Sequence, residues 1–200
     1  MCQRPQLSTL ILPADGSHLF PHTDFVPSML FHQKAIPMRN KLTAIKDDLQ
    51  VATLYAPLSV TSPVFANKGF LPPQYTCDGV NINPSLDIAH IPKGAKSLAI
   101  IMDDIDAPGG KFIHWVAWNI PAITHIKEAR PMEAEGTNDF RMRGYRGPCT
   151  SFGTHHYAFH VYALDTLLTL HREAKEPDLS TAMDGHILAY GKTTGLYKRK

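Results

Sequence analysis

Apolar residues along most of this chain come in short runs, broken at close intervals by proline, glycine, asparagine and aspartate. Short runs with frequent turn signals predict a mainly β architecture, because helices need longer uninterrupted periods of 3.6. The clearest strand candidates are residues 58–61, 97–102, 114–120 and 157–164. In the last of these Tyr157, Phe159, Val161 and Ala163 take one face, and Ala158, His160, Tyr162 and Leu164 take the other. Neither face is polar throughout, so both are expected to be covered.

Residues 72–84 carry Pro72, Pro73, Asp78, Gly79, Asn81, Asn83 and Pro84, which oppose regular pairing and predict a long surface loop. One helix is expected near the C-terminus. Asp178 or Ser180 would cap it, Leu179, Met183, Ile187 and Leu188 would form its apolar stripe, and Gly191 would stop it. A closing strand over residues 193–197 should follow.

Residues 1–56 differ from the rest: proline recurs, His18, His22 and His32 are scattered, and neither period is sustained. This predicts a poorly ordered extension followed by one domain over residues 57–200, with a short element of undecided type at 41–55. His18 and His22 are separated by Pro21 and lack an evident third ligand, so the reading that they are not a metal site is preferred.

Composition narrows the classes. The chain has 200 residues, 44% of them hydrophobic, enough for one core. Its formal net charge is only +2, and apart from the Lys198, Arg199, Lys200 tail its cations are dispersed, which argues against nucleic acid as a partner. No apolar run approaches the length of a membrane span or a signal-peptide core, so a cytoplasmic location is expected. Cys2, Cys77 and Cys149 have neither a disulfide-framework count nor zinc-site spacing, and free thiols are expected, a Cys77–Cys149 bond being the alternative.

The candidate chemistry lies in three separated stretches: residues 104–108, then His114 and Trp115, then residues 147–157. Imidazole N–H groups, a phenol and loop backbone N–H groups can hold the oxygens of a small anion without arginine. Asp104 can accept from a histidine N–H and fix its tautomer. Asp106 is expected to brace the tight turn near Pro108, and Trp115 and Trp118 to serve as core or pocket wall. His156 and His160 are expected at the surface or in packing.

In order along the chain stand Thr61-Ser-Pro-Val-Phe65, Tyr75-Thr-Cys-Asp-Gly79, Asp104-Ile-Asp-Ala-Pro108, His114-Trp115, Gly147-Pro-Cys149 and His155-His-Tyr157. This ordered set resembles the phosphatidylethanolamine-binding protein family, in particular its bacterial and archaeal Raf kinase inhibitor-like branch, and the resemblance extends to a helix over 184–188. It implies a large antiparallel sheet, a second smaller sheet, and a shallow pocket for phosphate or similar oxyanions. The implied ligand-binding residues are Asp104, His114, Gly147, Pro148, Cys149, His155 and Tyr157, supported by Asp78, Asp106, Pro108 and Trp115. Three departures stand out: Ile105 replaces a proline, Thr150 and Ser151 replace two prolines, and His156 replaces an arginine.

The expected function is non-enzymatic capture of a small anion or phosphorylated ligand, modulating a protein partner such as a kinase. No cofactor is expected, and the protein would be a monomer or homodimer. The rival reading is an enzyme, using two histidines and a carboxylate to hold a metal, or Ser151 or Cys149 with His155 as a hydrolase.

Overall fold

The computed structural model describes residues 54–199. The expected extension, with His18 and His22, and nearly all of the element at 41–55 lie outside the described residues. Ten strands form two sheets. The larger is built from β1 (Ala56–Pro57), β3 (Gly69–Phe70), β5 (Ser97–Asp104), β6 (Phe112–Pro121), β8 (Ala134–Glu135), β9 (His155–Leu164) and β10 (Ile187–Tyr197). Its order is β1-β10-β9-β5-β6-β8, with β3 also on β10. The long strands pair antiparallel, while β1 and β3 join β10 in parallel. The smaller sheet has β2 (Ser59–Thr61), β4 (Leu86–Ala89) and β7 (His125–Ile126).

Every residue of β5 and nearly every residue of β9 is buried, because each face of the large sheet is covered. On one face Ile100, Met102, Trp115, Phe159 and Val161 pack with Leu86, Ile88 and Ile126 of the smaller sheet. On the other, Ala99, Ile101, Val116 and Tyr162 pack with Leu179 and Met183 of the helix α1 (Glu176–Met183). The alternation expected for residues 157–164 is therefore the division between two cores.

Three expectations are corrected. The helix ends at Met183, not beyond: Asp184 is extended (φ −60°, ψ 129°) and Gly185 has φ +80°, so the 184–188 segment turns and enters a strand. Ile187 and Leu188 belong to β10, and Gly191 sits within that strand, where a Cβ would collide with the Leu58 carbonyl oxygen. Asp178 does act at the helix start, its carboxylate accepting the Lys175 N–H at 2.8 Å. Lastly, residues 72–84 are not wholly a surface loop. A 3-10 turn at Pro73–Tyr75 drives Tyr75 and Thr76 into full burial.

Candidate functional site

Three strand ends meet at one rim of the large sheet. Asp104 closes β5, pairing in register with Tyr157 of β9 on one side and with Phe112 of β6 on the other. His155 and Tyr157, two apart on β9, share a face. His114 reaches the same face through an irregularity. Met102 pairs with Trp115 and Asp103 with Ile113, so the register shifts by one residue and His114 is the one left over. Such a bulge turns a side chain that alternation would send to the opposite face.

The result is a cavity of about 210 Å³. Asp104, His114, His155 and Tyr157 supply its polar wall, joined by Pro108, Cys149, Thr150 and Ser151. Phe112, Phe140 and Phe152 supply aromatic wall that sequence reasoning did not assign to the site. Of the remaining candidates, Gly147 and Pro148 are not lining residues, although the Gly147 backbone bears on the His114 ring. The Gly147 N–H donates to Asn81 Oδ1 at 2.6 Å, and the Pro148 carbonyl accepts the Cys77 N–H at 3.0 Å. A Cβ at Gly147 would collide with the Tyr75 carbonyl oxygen. Trp115 is a core residue, its indole N–H donating to Glu135 Oε1 at 2.8 Å. Asp78 accepts the Tyr197 hydroxyl at 2.6 Å and is not a lining residue. Asp106 braces the loop: its N–H donates to Asp104 Oδ1 at 2.9 Å, and its Oδ2 receives the His156 N–H at 2.8 Å and lies 2.7 Å from His156 Nδ1. Partial burial pushes the Asp106 carboxyl up, but the His156 hydrogen bonds outweigh it and hold the group below its usual range.

The hydrogen-bond pattern decides what each ring can offer. His114 Nδ1 lies 2.7 Å from the Arg146 carbonyl oxygen, which only accepts, so Nδ1 carries the proton. Neutral His114 therefore presents Nε2 as a lone pair. Burial depresses its pKa, against a smaller upward pull from the Arg146 carbonyl and the Asp104 charge. His155 Nδ1 meets Asp104 Oδ2 at 2.7 Å, and its Nε2 meets Thr150 Oγ1 at 3.0 Å. With both nitrogens engaged, His155 is a fixed wall and not a spare donor. The Tyr157 hydroxyl is buried without a hydrogen bond of good geometry. Burial first, and the Asp104 charge second, push its pKa above the usual phenol range, so it stays protonated.

Cys77 and Cys149 form a disulfide, with Cα atoms 5.3 Å apart, which overturns the expectation of free thiols. Cysteine count and spacing could not show that the 77 and 149 loops are brought together by the Cys77–Pro148 and Gly147–Asn81 hydrogen bonds. The bond also removes Cys149 as a nucleophile. The hydroxyl against His155 is that of Thr150, not Ser151, and it donates to the Phe152 carbonyl at 2.8 Å. Among the described residues no group of three or more His, Cys, Asp or Glu side chains is arranged to hold a metal ion. Nor, among them, is any helix long and apolar enough to cross a membrane.

Comparison with known proteins places this site in context. The family model described as phosphatidylethanolamine-binding protein matches residues 61–198. A UPF0098 protein of Pyrococcus horikoshii is 50% identical over 150 residues, spanning 70% of this chain and 76% of the relative. One from Methanothermobacter thermautotrophicus is 43% identical, over 71% of this chain and 99% of its own length. Among solved structures, the phosphatidylethanolamine-binding protein homologue CT736 of Chlamydia trachomatis superposes with a TM-score of 0.69 at 33% identity, covering 72% of this chain and 99% of that one. Escherichia coli YbcL superposes with a TM-score of 0.67 at 29% identity, covering 72% and 100%.

Proposed function

This chain belongs to the phosphatidylethanolamine-binding protein family, and from that premise we propose that its cavity is a receptor for a small anion, the phosphate group of a ligand, acting by binding and not by chemistry. The observation that carries the reading is the convergence of three elements on one cavity where the buried Tyr157 hydroxyl lacks a hydrogen bond of good geometry, beside a His114 ring whose Nδ1 is committed to the Arg146 carbonyl. Buried polar groups are ordinarily satisfied, and unsatisfied ones beside a cavity favour a missing partner. With no lysine or arginine in the lining and Asp104 present, an anion is expected to bind with uptake of a proton, so binding tightens as pH falls. Titration calorimetry with inorganic phosphate and phosphoethanolamine tests this. Heat of binding is expected for the wild type and its loss for His114→Ala; absence of binding to the wild type, or equal binding to the variant, refutes it. Capture of such a ligand would let the protein modulate a partner, and a cytoplasmic setting must be reconciled with the disulfide.

One observation favours a second reading. Thr150 Oγ1, His155 and Asp104 form a row at 3.0 and 2.7 Å, the order of hydroxyl, imidazole and carboxylate used for acyl transfer. The Thr150 hydroxyl points its proton at the Phe152 carbonyl, which opposes activation. Hydrolysis of p-nitrophenyl acetate abolished by Thr150→Val would establish this reading, and a rate equal to background would dismiss it.

A further inference from the structure

Resting on the anion-binding reading, we infer that the cavity selects phosphate monoesters in their singly protonated form, carrying an apolar organic group, over dianions and over the phosphodiesters of lipid headgroups. No lysine or arginine lines the cavity, and Asp104 does. The nearby guanidinium of Arg146 lies over the Phe140 ring, 5.9 Å from its centroid, and is no lining residue. A dianion would set two charges beside a carboxylate with no lysine or arginine in the lining to balance them.

The second step is the donor and acceptor pattern. Neutral His114 offers an acceptor at Nε2, since its Nδ1 proton is committed to the Arg146 carbonyl. The groups that bear on it are Asp104 and Asp103 from β5, His155 and Tyr157 from β9, and the backbone of Arg146 and Gly147. Of these, Asp104 and His155 are paired with each other, and the Tyr157 phenol is an unpartnered donor. A monoester monoanion, ROPO3H⁻, matches this set: its P–O–H donates to His114 Nε2 and an anionic oxygen accepts from Tyr157. A diester has no such hydrogen, and a dianion has none either. Neither can satisfy the Nε2 lone pair without charging a buried ring.

The third step concerns the remainder of the ligand. The apolar lining is Phe112, Phe140, Phe152 and Pro108. Phe140 stands edge-on to both Phe112 and His114, with centroids 4.9 and 5.1 Å apart, so the aromatic wall and the imidazole form one packed unit. Phe152 is 72% exposed at the rim and has apolar surface to cover. A flat or short apolar substituent buries that surface; an ammonium-bearing one does not.

Four probes test the inference by calorimetry on the full chain between pH 5.5 and 8: inorganic phosphate, phosphoethanolamine, phenyl phosphate and methyl phenyl phosphate. The expected order puts phenyl phosphate about tenfold or more above both phosphoethanolamine and the diester. Its affinity should fall by up to about tenfold per pH unit above about 6, where a phosphate monoester loses its second proton. Phe152→Ala should narrow the gap between phenyl phosphate and phosphoethanolamine. The inference is overturned if the diester binds as tightly as the monoester, if phenyl phosphate tightens with rising pH, or if the substituent makes no difference. Comparable binding of all four leaves the anion-receptor reading standing and removes only this one, whereas no binding of any probe removes both.

Discussion

Breaking the Cys77–Cys149 bond should be the most informative single perturbation of stability. The two cysteines are 72 residues apart in sequence, and closing a loop of that length in the unfolded chain is worth about 4 kcal/mol in the chain-entropy account. The loops are also held by the Cys77 N–H to Pro148 carbonyl bond, by Gly147 to Asn81, and by the Tyr145 hydroxyl on the Tyr75 carbonyl at 2.7 Å. These bonds keep the native state in place without the sulfur link, so the loss is chiefly that of the unfolded-state constraint. For a domain of this size each kcal/mol moves Tm by about 2–4 °C, which predicts a drop of roughly 8–16 °C. Differential scanning calorimetry of the wild type, Cys77→Ser, Cys149→Ser and the double variant reads it directly. All three variants should melt at the same reduced temperature, because either change breaks the same bond. A shift below about 2 °C, or a double variant far less stable than either single one, would refute the reasoning.

Further expectations concern single residues. Gly147→Ala should cost about 1–3 kcal/mol by forcing a Cβ against the Tyr75 carbonyl oxygen, measurable in urea melts. Trp115→Phe removes the donor to half-buried Glu135 and should cost about 1–3 kcal/mol, with Glu135→Gln largely neutral in that background. Because burial lowers the folded pKa of His114, the unfolded chain binds its proton more readily. That share of stability is present above about pH 6.5 and declines as pH falls toward the folded value. His114→Asn should flatten this part of the slope between pH 7.5 and 5.5; an unchanged slope would exclude His114 as its source.

Much of the fold was legible because β9 and the middle of β5 are apolar on both faces, a pattern helices of this length do not share. The end of β5 was not legible. Asp103 and Asp104 look like loop residues by polarity, yet both are buried in strand. Their partners explain this: His160 Nε2 lies 3.3 Å from Asp103 Oδ1, and His155 takes Asp104. His160, expected at the surface or in packing, is a buried ligand of Asp103 and of the Tyr190 hydroxyl at 2.7 Å. The helix was overextended because Ile187 and Leu188 continue the spacing of Leu179 and Met183 by coincidence, across a turn made at Gly185. Within the site, Asp104, His114, His155 and Tyr157 were nameable from motif order. Phe112 was a weaker signal, two positions before His114, and Phe140 and Phe152 were recognisable only through the cavity they share. Thr150 stood out only as a replacement for proline and not as the neighbour of His155, because nothing local ties them.

The register shift that leaves His114 over has a genetic corollary. A single-codon deletion at that position would restore uninterrupted pairing of Ile113 and Trp115 against Asp103 and Met102, and so repair the ladder while erasing the imidazole. Architecture and recognition are thus separable here by one in-frame event: a descendant lacking that codon would keep its sheet and lose its ligand.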